Sequence, residues 1–334
     1  MFYAEIQYSS RIFFMKNQNP PPDTRTVPEN HTGLRLDKWL MLEFPDHSRS
    51  EIQKWIRSEY VRSGTEPLTP GLAVKPGMRF QLTLPAPQAA HPHPIPENLP
   101  LEILYEDPHL VVVNKFSGQV VHPAPGHPSG TVLNAMLHHY PDMESAGDPL
   151  RPGLVHRLDL ETSGVLLFAR TPEALAFLQA QFKERAVSKT YHCLCHSIPN
   201  PISQRIDLPL GRHPIHRKKR AINGEGSRPA VSHMQLLKGL ASGTASLLEV
   251  KIETGRTHQI RVHLAHLGHP VLGDTVYGGK RANLSKPWPQ APRIMLHAFR
   301  LSIRHPCNGS RLELEAAPPL DMIHFQSQLE HPAP

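Results

Sequence analysis

With 334 residues, 39 % hydrophobic and 19 % charged, the chain has the composition of a folded protein with room for two domains, which excludes a disordered chain. No apolar run approaches the roughly 20 residues that span a bilayer, no secretory signal pattern opens the chain, and three cysteines cannot form a paired framework, which fits the cytoplasm. The net charge of +7 points toward a polyanionic partner.

Residues 1–32 read as a tail, because Pro20-Pro21-Pro22 and the polar residues around them show no periodicity, and Met15 offers a second start. Residues 33–85 read as a compact unit. Leu36, Trp39 and Leu40 share a helical face at i, i+3, i+4. A second helix is expected from Ser48, with Glu51 in capping-box register and Ile52, Trp55 and Ile56 inside. A strand over 78–84 closes the unit. The outer helix faces carry Arg35, Lys38, Arg49, Lys54 and Arg57; such a run is ordinarily solvated surface, but it also suits RNA phosphates. Residues 86–100, with Pro87, Pro92, Pro94, Pro96 and Pro100, form an extended spacer and mark the domain boundary.

Beyond it, residues 101–322 form the main domain and 323–334 a second tail. Strands are expected over 101–105, 110–113, 119–121, 165–169, 190–195, 245–252 and 294–303. Helices are expected over 131–140, after the Thr171-Pro172 cap, and over 257–267 up to Gly268. Strands outnumber helices without βαβ alternation, so the fold class is α+β, with a mostly antiparallel mixed sheet and flanking helices.

The segment from His156 to Gly164 sets Arg157 and Asp159 in a polar loop that opens into an apolar strand. Thr162, Ser163 and Gly164 favour turns, and a carboxylate held at a strand's lip beside a cation suits a nucleophile or general base. Two further strings stand apart from it: Ser188-Lys189-Thr190-Tyr191-His192-Cys193, and Thr254-Gly255-Arg256-Thr257-His258-Gln259-Ile260-Arg261. Leu296-His297-Ala298 follows late in the chain. The cluster His192-Cys193-Leu194-Cys195-His196 invites a metal reading, but strand alternation sends Cys193 and Cys195 to one face and the histidines to the other.

In order and spacing these strings resemble the RluA-type pseudouridine synthases, over about residues 101–322. The resemblance implies a pseudouridine-synthase-like core that isomerises uridine in structured RNA without cofactor or metal. Asp159 would be the catalytic carboxylate. Tyr191 would pack on the target base and handle its carbon 5 proton, and Arg261 would hold Asp159 in a bidentate pair. Arg157 would help keep the flipped nucleotide's place, and Leu296 would lie beside the base pocket. Arg256 is expected to be structural or to contact backbone.

The basic segment 212–220, with Arg217, Lys218 and Lys219, would add phosphate contacts. The unit at 33–85 resembles the small RNA-binding domain of the ribosomal S-four type, although Glu59-Tyr60 stands where relatives usually place a glycine. Other departures are Phe116 for proline, Leu160 for a frequent lysine, and Cys193 for alanine.

The overall arrangement is most similar to the large-subunit ribosomal RNA synthases of the RluC/RluD group. A monomer acting on 23S ribosomal RNA or a pre-ribosomal particle is therefore expected. A transfer RNA synthase is the runner-up, and a non-catalytic RNA-binding or ribosome-assembly protein a weaker third.

Overall fold

The computed structural model describes residues 23–45, 47, 49–84, 93–124, 126–216 and 219–331. The chain divides into two compact units, residues 1–90 and 91–334.

In the first unit, β1 (Asp23–Thr26), α1 (Leu36–Glu43), α2 (Arg49–Arg57), β2 (Val61–Arg62) and β3 (Arg79–Leu82) follow in order. The sheet is antiparallel in the order β1-β3-β2. Leu36, Trp39, Leu40, Ile52, Trp55 and Ile56 are all buried with Phe80 and Leu82, as the helical spacing requires. The expected tail is corrected from residue 23 onward: β1 pairs along β3 from Asp23↔Leu82 to Thr26↔Arg79, and Val27 is buried behind it. Its polar sequence hides the strand, because backbone pairing rather than side-chain burial holds it. Ser48 lies outside the described residues. Glu59 adopts φ 57, a left-handed conformation that glycine enters more readily than other residues.

Asp37, fully buried, accepts hydrogen bonds from Arg35 (3.1 and 3.2 Å), Arg49 (3.2 and 3.0 Å) and Gln53 (2.7 Å). The Arg35 bond, more than the others, holds its carboxyl well below the usual carboxylate range. Arg49 and Gln53 of α2 thus clamp that helix to Asp37 of α1, and Arg35 braces the same carboxylate from the start of α1, while Lys38 and Lys54 are exposed without an ion-pair partner among the described residues.

The second unit is built on a nine-stranded sheet. Its strands are β4 (Ile103–Glu106), β5 (Leu110–Lys115), β6 (Ser163–Ala169), β7 (Ser188–His196), β8 (Ser203–Asp207), β12 (Val231–Leu240), β13 (Ala245–Ile252), β14 (Leu296–Arg304) and β15 (Arg311–Glu315). The order is β4-β5-β6-β14-β7-β13-β12-β8, with β15 also on β14; only β14 and β6 pair in parallel. A small separate sheet, in the order β10-β9-β11, joins β9 (Leu210–Arg212), β10 (Arg220–Ile222) and β11 (Glu225–Arg228).

The helices are α3 (Val132–His139), α4 (Pro172–Lys183), α5 (Gln259–His266) and α6 (Leu320–Glu330). β5 and β6 are buried on both faces, which explains their unbroken apolar runs. Leu110, Val112, Val165 and Leu167 face α4, whereas Val111, Val113, Leu166 and Phe168 face α3.

Three expectations change in this unit. Residues 119–121 form no strand; the carbonyls of Val120 and Val121 instead accept from Val132 and Leu133, satisfying the open N–H groups of α3's first turn. The C-terminal tail is the helix α6, with Met322, Phe325 and Leu329 in the core. The later part of the spacer is docked: Asn134 Nδ2 donates to Ile95 O (2.7 Å), and the Glu97 carboxylate accepts from Gly130 N (3.2 Å). No strand is expected at β8 to β12 or at β15, where the sequence carries no apolar alternation strong enough to announce one.

Candidate active site

The loop before β6 is fixed from three directions. Thr162 N donates to Asp159 O (3.1 Å), closing a turn around the carboxylate. Buried Lys115, at the end of β5, donates from Nζ to Phe116 O, Gln119 O and Leu160 O at 2.9, 2.8 and 3.0 Å. Burial brings its pKa down to about 7, with Asp159's charge opposing the shift.

On the far side Gly164 (φ 114) faces Ala298 across the parallel β6–β14 pair, where a Cβ would lie 2.2 Å from Ala298 O. His156 accepts from Leu167 N at 3.1 Å and stacks on Phe182, so the motif's histidine is a structural strut. Burial takes its pKa down to about 3.

Asp159, Arg157, Tyr191, Arg261 and Leu296 all line one small cavity, together with Arg256 and His258. Asp159 and Leu296, 137 positions apart, meet there because β14 lies between β6 and β7. Tyr191 projects from β7, and Leu296 opens β14. The Tyr191 hydroxyl bonds to none of the described residues; burial, with Asp159 nearby, pushes it above the ordinary phenol range.

Arg261 departs from expectation. Its bidentate partner is Asp274, with Nε to Oδ2 at 2.6 Å and Nη2 to Oδ1 at 3.0 Å. Asp159 instead faces the remaining Nη1 at 3.9 Å. By holding Nε and Nη2, Asp274 fixes the plane of the guanidinium, and in that setting Nη1 stops 3.9 Å short of Asp159 Oδ2, beyond hydrogen-bond reach. Burial opposes the charge of Arg261, and Asp274 outweighs it.

The segment 254–258 is pinned by Gln259, which accepts from Thr254 Oγ1 (2.7 Å) and Arg256 N (3.0 Å) and donates to Val231 O (2.9 Å). Arg256 donates from Nε to Pro229 O at 3.2 Å. Two basic clefts flank the cavity and share Gly255 and Arg256 with it: one holds Arg212, Arg220 and Arg228, the other Arg157, Lys183, Arg185 and Lys189. In the second, burial lowers Lys189 to about 8.

Lys219 bonds Val276 O at 2.9 Å, while Arg217 and Lys218 lie outside the described residues. Cys193 and Cys195 lie in the apolar core with sulfurs 3.5 Å apart, and among the described residues no cluster of three His, Cys, Asp or Glu could hold a metal ion.

His258, Asp274, Tyr277 and Lys115 received no role from the sequence, though His258 stands inside the string that ends at Arg261. Their roles follow from contacts across the fold, which spacing does not encode.

A family model described as RNA pseudouridylate synthase matches residues 109–266. An uncharacterized RNA pseudouridine synthase of Synechocystis sp. is 43 % identical over 309 residues, covering 91 % of this chain and 90 % of that protein. The ribosomal large subunit pseudouridine synthase D of Pseudomonas aeruginosa is 40 % identical over 310 residues, covering 91 % and 94 %. Among solved structures, human RNA pseudouridylate synthase domain containing 1 superposes with a TM-score of 0.54 at 30 % identity, covering 67 % of this chain and 85 % of that one. With a fold, a cavity and relatives that agree, the chain belongs to the RluA-type RNA pseudouridine synthases and is an isomerase.

Proposed function

We infer that this enzyme isomerises uridine in large-subunit ribosomal RNA, with Asp159 as the essential group. The observation that carries the reading is the convergence of Asp159, Tyr191, Arg261 and Leu296 on one cavity flanked by basic clefts. The reaction breaks the bond from ribose carbon 1 to uracil nitrogen 1, turns the base, and joins carbon 1 to carbon 5. The carbon 5 proton leaves and nitrogen 1 gains one, so no electrons are exchanged.

The base must leave its stack to enter the cavity. Leu296 and the Tyr191 ring supply apolar surface for it, the unbonded Tyr191 hydroxyl is available for the carbon 5 proton, and Arg157, exposed at the rim, suits the vacated position. Lysines 38, 54, 218 and 219 with Arg217 supply phosphate contacts, and Arg35 and Arg49 add charge while holding Asp37. The relatives named for the large ribosomal subunit favour that RNA. We take it as free transcript or pre-ribosomal particle, met by a monomer in the cytoplasm.

Transcript-wide pseudouridine mapping in a deletion strain tests the target: loss of sites in large-subunit RNA is expected, and loss confined to transfer RNA would overturn the assignment. Asp159→Asn is expected to bind RNA within about twofold of wild type and to retain less than about a thousandth of its turnover, measured by tritium release from carbon 5.

A further inference from the structure

His258, one residue ahead of α5, stands in a left-handed conformation (φ 60) that turns its ring into the cavity. Its Nδ1 lies 2.7 Å from Tyr277 Oη, and its Nε2 lies 3.9 Å from Asp159 Oδ2. Tyr277 Oη already accepts the backbone N–H of Arg220 at 2.8 Å. The phenol has one hydrogen to give, and among the described residues His258 Nδ1 is the acceptor within reach. Nδ1 therefore accepts, and the neutral imidazole carries its proton on Nε2.

The second side of the ring agrees with the first. A bare Nε2 would set a lone pair against the Asp159 carboxylate, whereas Nε2–H offers it a donor. Burial, with Arg261 adding to it against Asp159, lowers the imidazole's pKa, which favours the neutral ring. Oδ2 is faced by both His258 and Arg261 at 3.9 Å, while Oδ1 has no hydrogen-bond or ion-pair partner among the described residues. At that distance the contact is one of charge and dipole, which a small inward shift converts to a hydrogen bond.

The support behind His258 leads to the basic hairpin of β9 and β10. Asp274 Oδ1 accepts from Val276 N and Tyr277 N at 3.1 and 3.2 Å, so a single turn holds the partners of both Arg261 and His258. Lys219 Nζ on Val276 O and Arg220 N on Tyr277 Oη fasten the hairpin to that turn.

We propose that His258 is a positioning residue that donates from Nε2 to Asp159 Oδ2, its tautomer set by Tyr277 and its support shared with the basic hairpin. Oδ1 is then the oxygen left for the nucleotide. The proposal rests on Asp159 being the essential carboxylate.

Full-length protein labelled with ¹⁵N-histidine provides the first test, with the His258 signals assigned by their loss in His258→Gln. Wild type is expected to show a protonated Nε2 and a bare Nδ1, and Tyr277→Phe a mixture of tautomers. Single-turnover rates on an in vitro transcript of large-subunit ribosomal RNA provide the second. His258→Ala is expected to be about 10- to 100-fold slower with RNA affinity within about twofold, and His258→Gln, whose amide N–H reaches the same carboxylate, to recover to within about fivefold of wild type.

A wild-type His258 protonated on Nδ1, or a His258→Ala rate equal to wild type while Asp159→Asn is inactive, would end the proposal and leave the catalytic reading standing. Turnover in Asp159→Asn would remove the reading itself, and the proposal with it.

Discussion

Asp274 and Asp159 compete for one guanidinium, and geometry decides between them. Asp274 takes the two parallel N–H groups at 2.6 and 3.0 Å and is buried, so it fixes Arg261; Asp159 receives the leftover edge and keeps an oxygen unengaged. A carboxylate held in the full fork would be well anchored but less available to react. At the same scale, His156 is neutral by burial, with a pKa near 3 against an unfolded value of 6.5. Between those values the unfolded chain binds a proton that the folded one refuses, so stability falls as pH drops through the window. His263 and His297, also lowered by burial, act in the same direction. Urea unfolding at pH 5 is expected to give about 2 kcal/mol less stability than at pH 7 from His156 alone. A flat profile, or one that rises toward pH 5, would contradict this account.

Between elements, the parallel contact of β6 with β14 sets the site's geometry. Gly164 permits it: its φ of 114 is closed to most side chains, and a Cβ would meet the carbonyl of Ala298 at 2.2 Å. The same contact brings Leu296, at the start of β14, beside the loop that carries Asp159. Gly164→Ala is expected to cost about 2–4 kcal/mol, read from the urea midpoint, because neither backbone can yield without breaking pairing. Turnover should fall beyond what the unfolded fraction explains. Gly273 does comparable work next to Asp274: at φ 84 it lies against Arg293 O, where a Cβ would approach to 1.7 Å. The Gly164 motif was visible as a turn, but its second role as a spacer against β14 was not, because Ala298 is 134 residues away in the chain.

Across the whole molecule, the spacer between the units is divided. Ile95 and Glu97 bond to Asn134 and Gly130, so a catalytic fragment should begin before them. Residues 93–334 are expected to fold, and to turn over saturating RNA at a rate near that of the full chain. Without Lys38 and Lys54 the fragment should bind RNA more weakly, and its plot of log affinity against log salt should be shallower by roughly 2. Measured binding with an unchanged slope would assign the first unit another task. A fragment starting at 99 should melt lower than one starting at 93, because α3 loses the Ile95 and Glu97 bonds. No helix among the described residues is long and apolar enough to cross a membrane.

The amino-acid sequence by itself determined the α+β class, the apolar faces of α1 and α2, most strands of the central sheet, and the three strings that bear Asp159, Tyr191 and Arg261. These are legible because periodicity and residue identity are local properties. It did not reveal β1, α6 or the strands of the basic hairpin, whose stability comes from pairing and packing partners far along the chain. Only the tertiary structure decided which carboxylate occupies the Arg261 fork, where Lys115 is spent, and that His258 faces Asp159. The physical reason is common to all three. A side chain's type limits which bonds it can make, but the partner it meets depends on β14 entering between β6 and β7 and on the start of α5 reaching the same cavity.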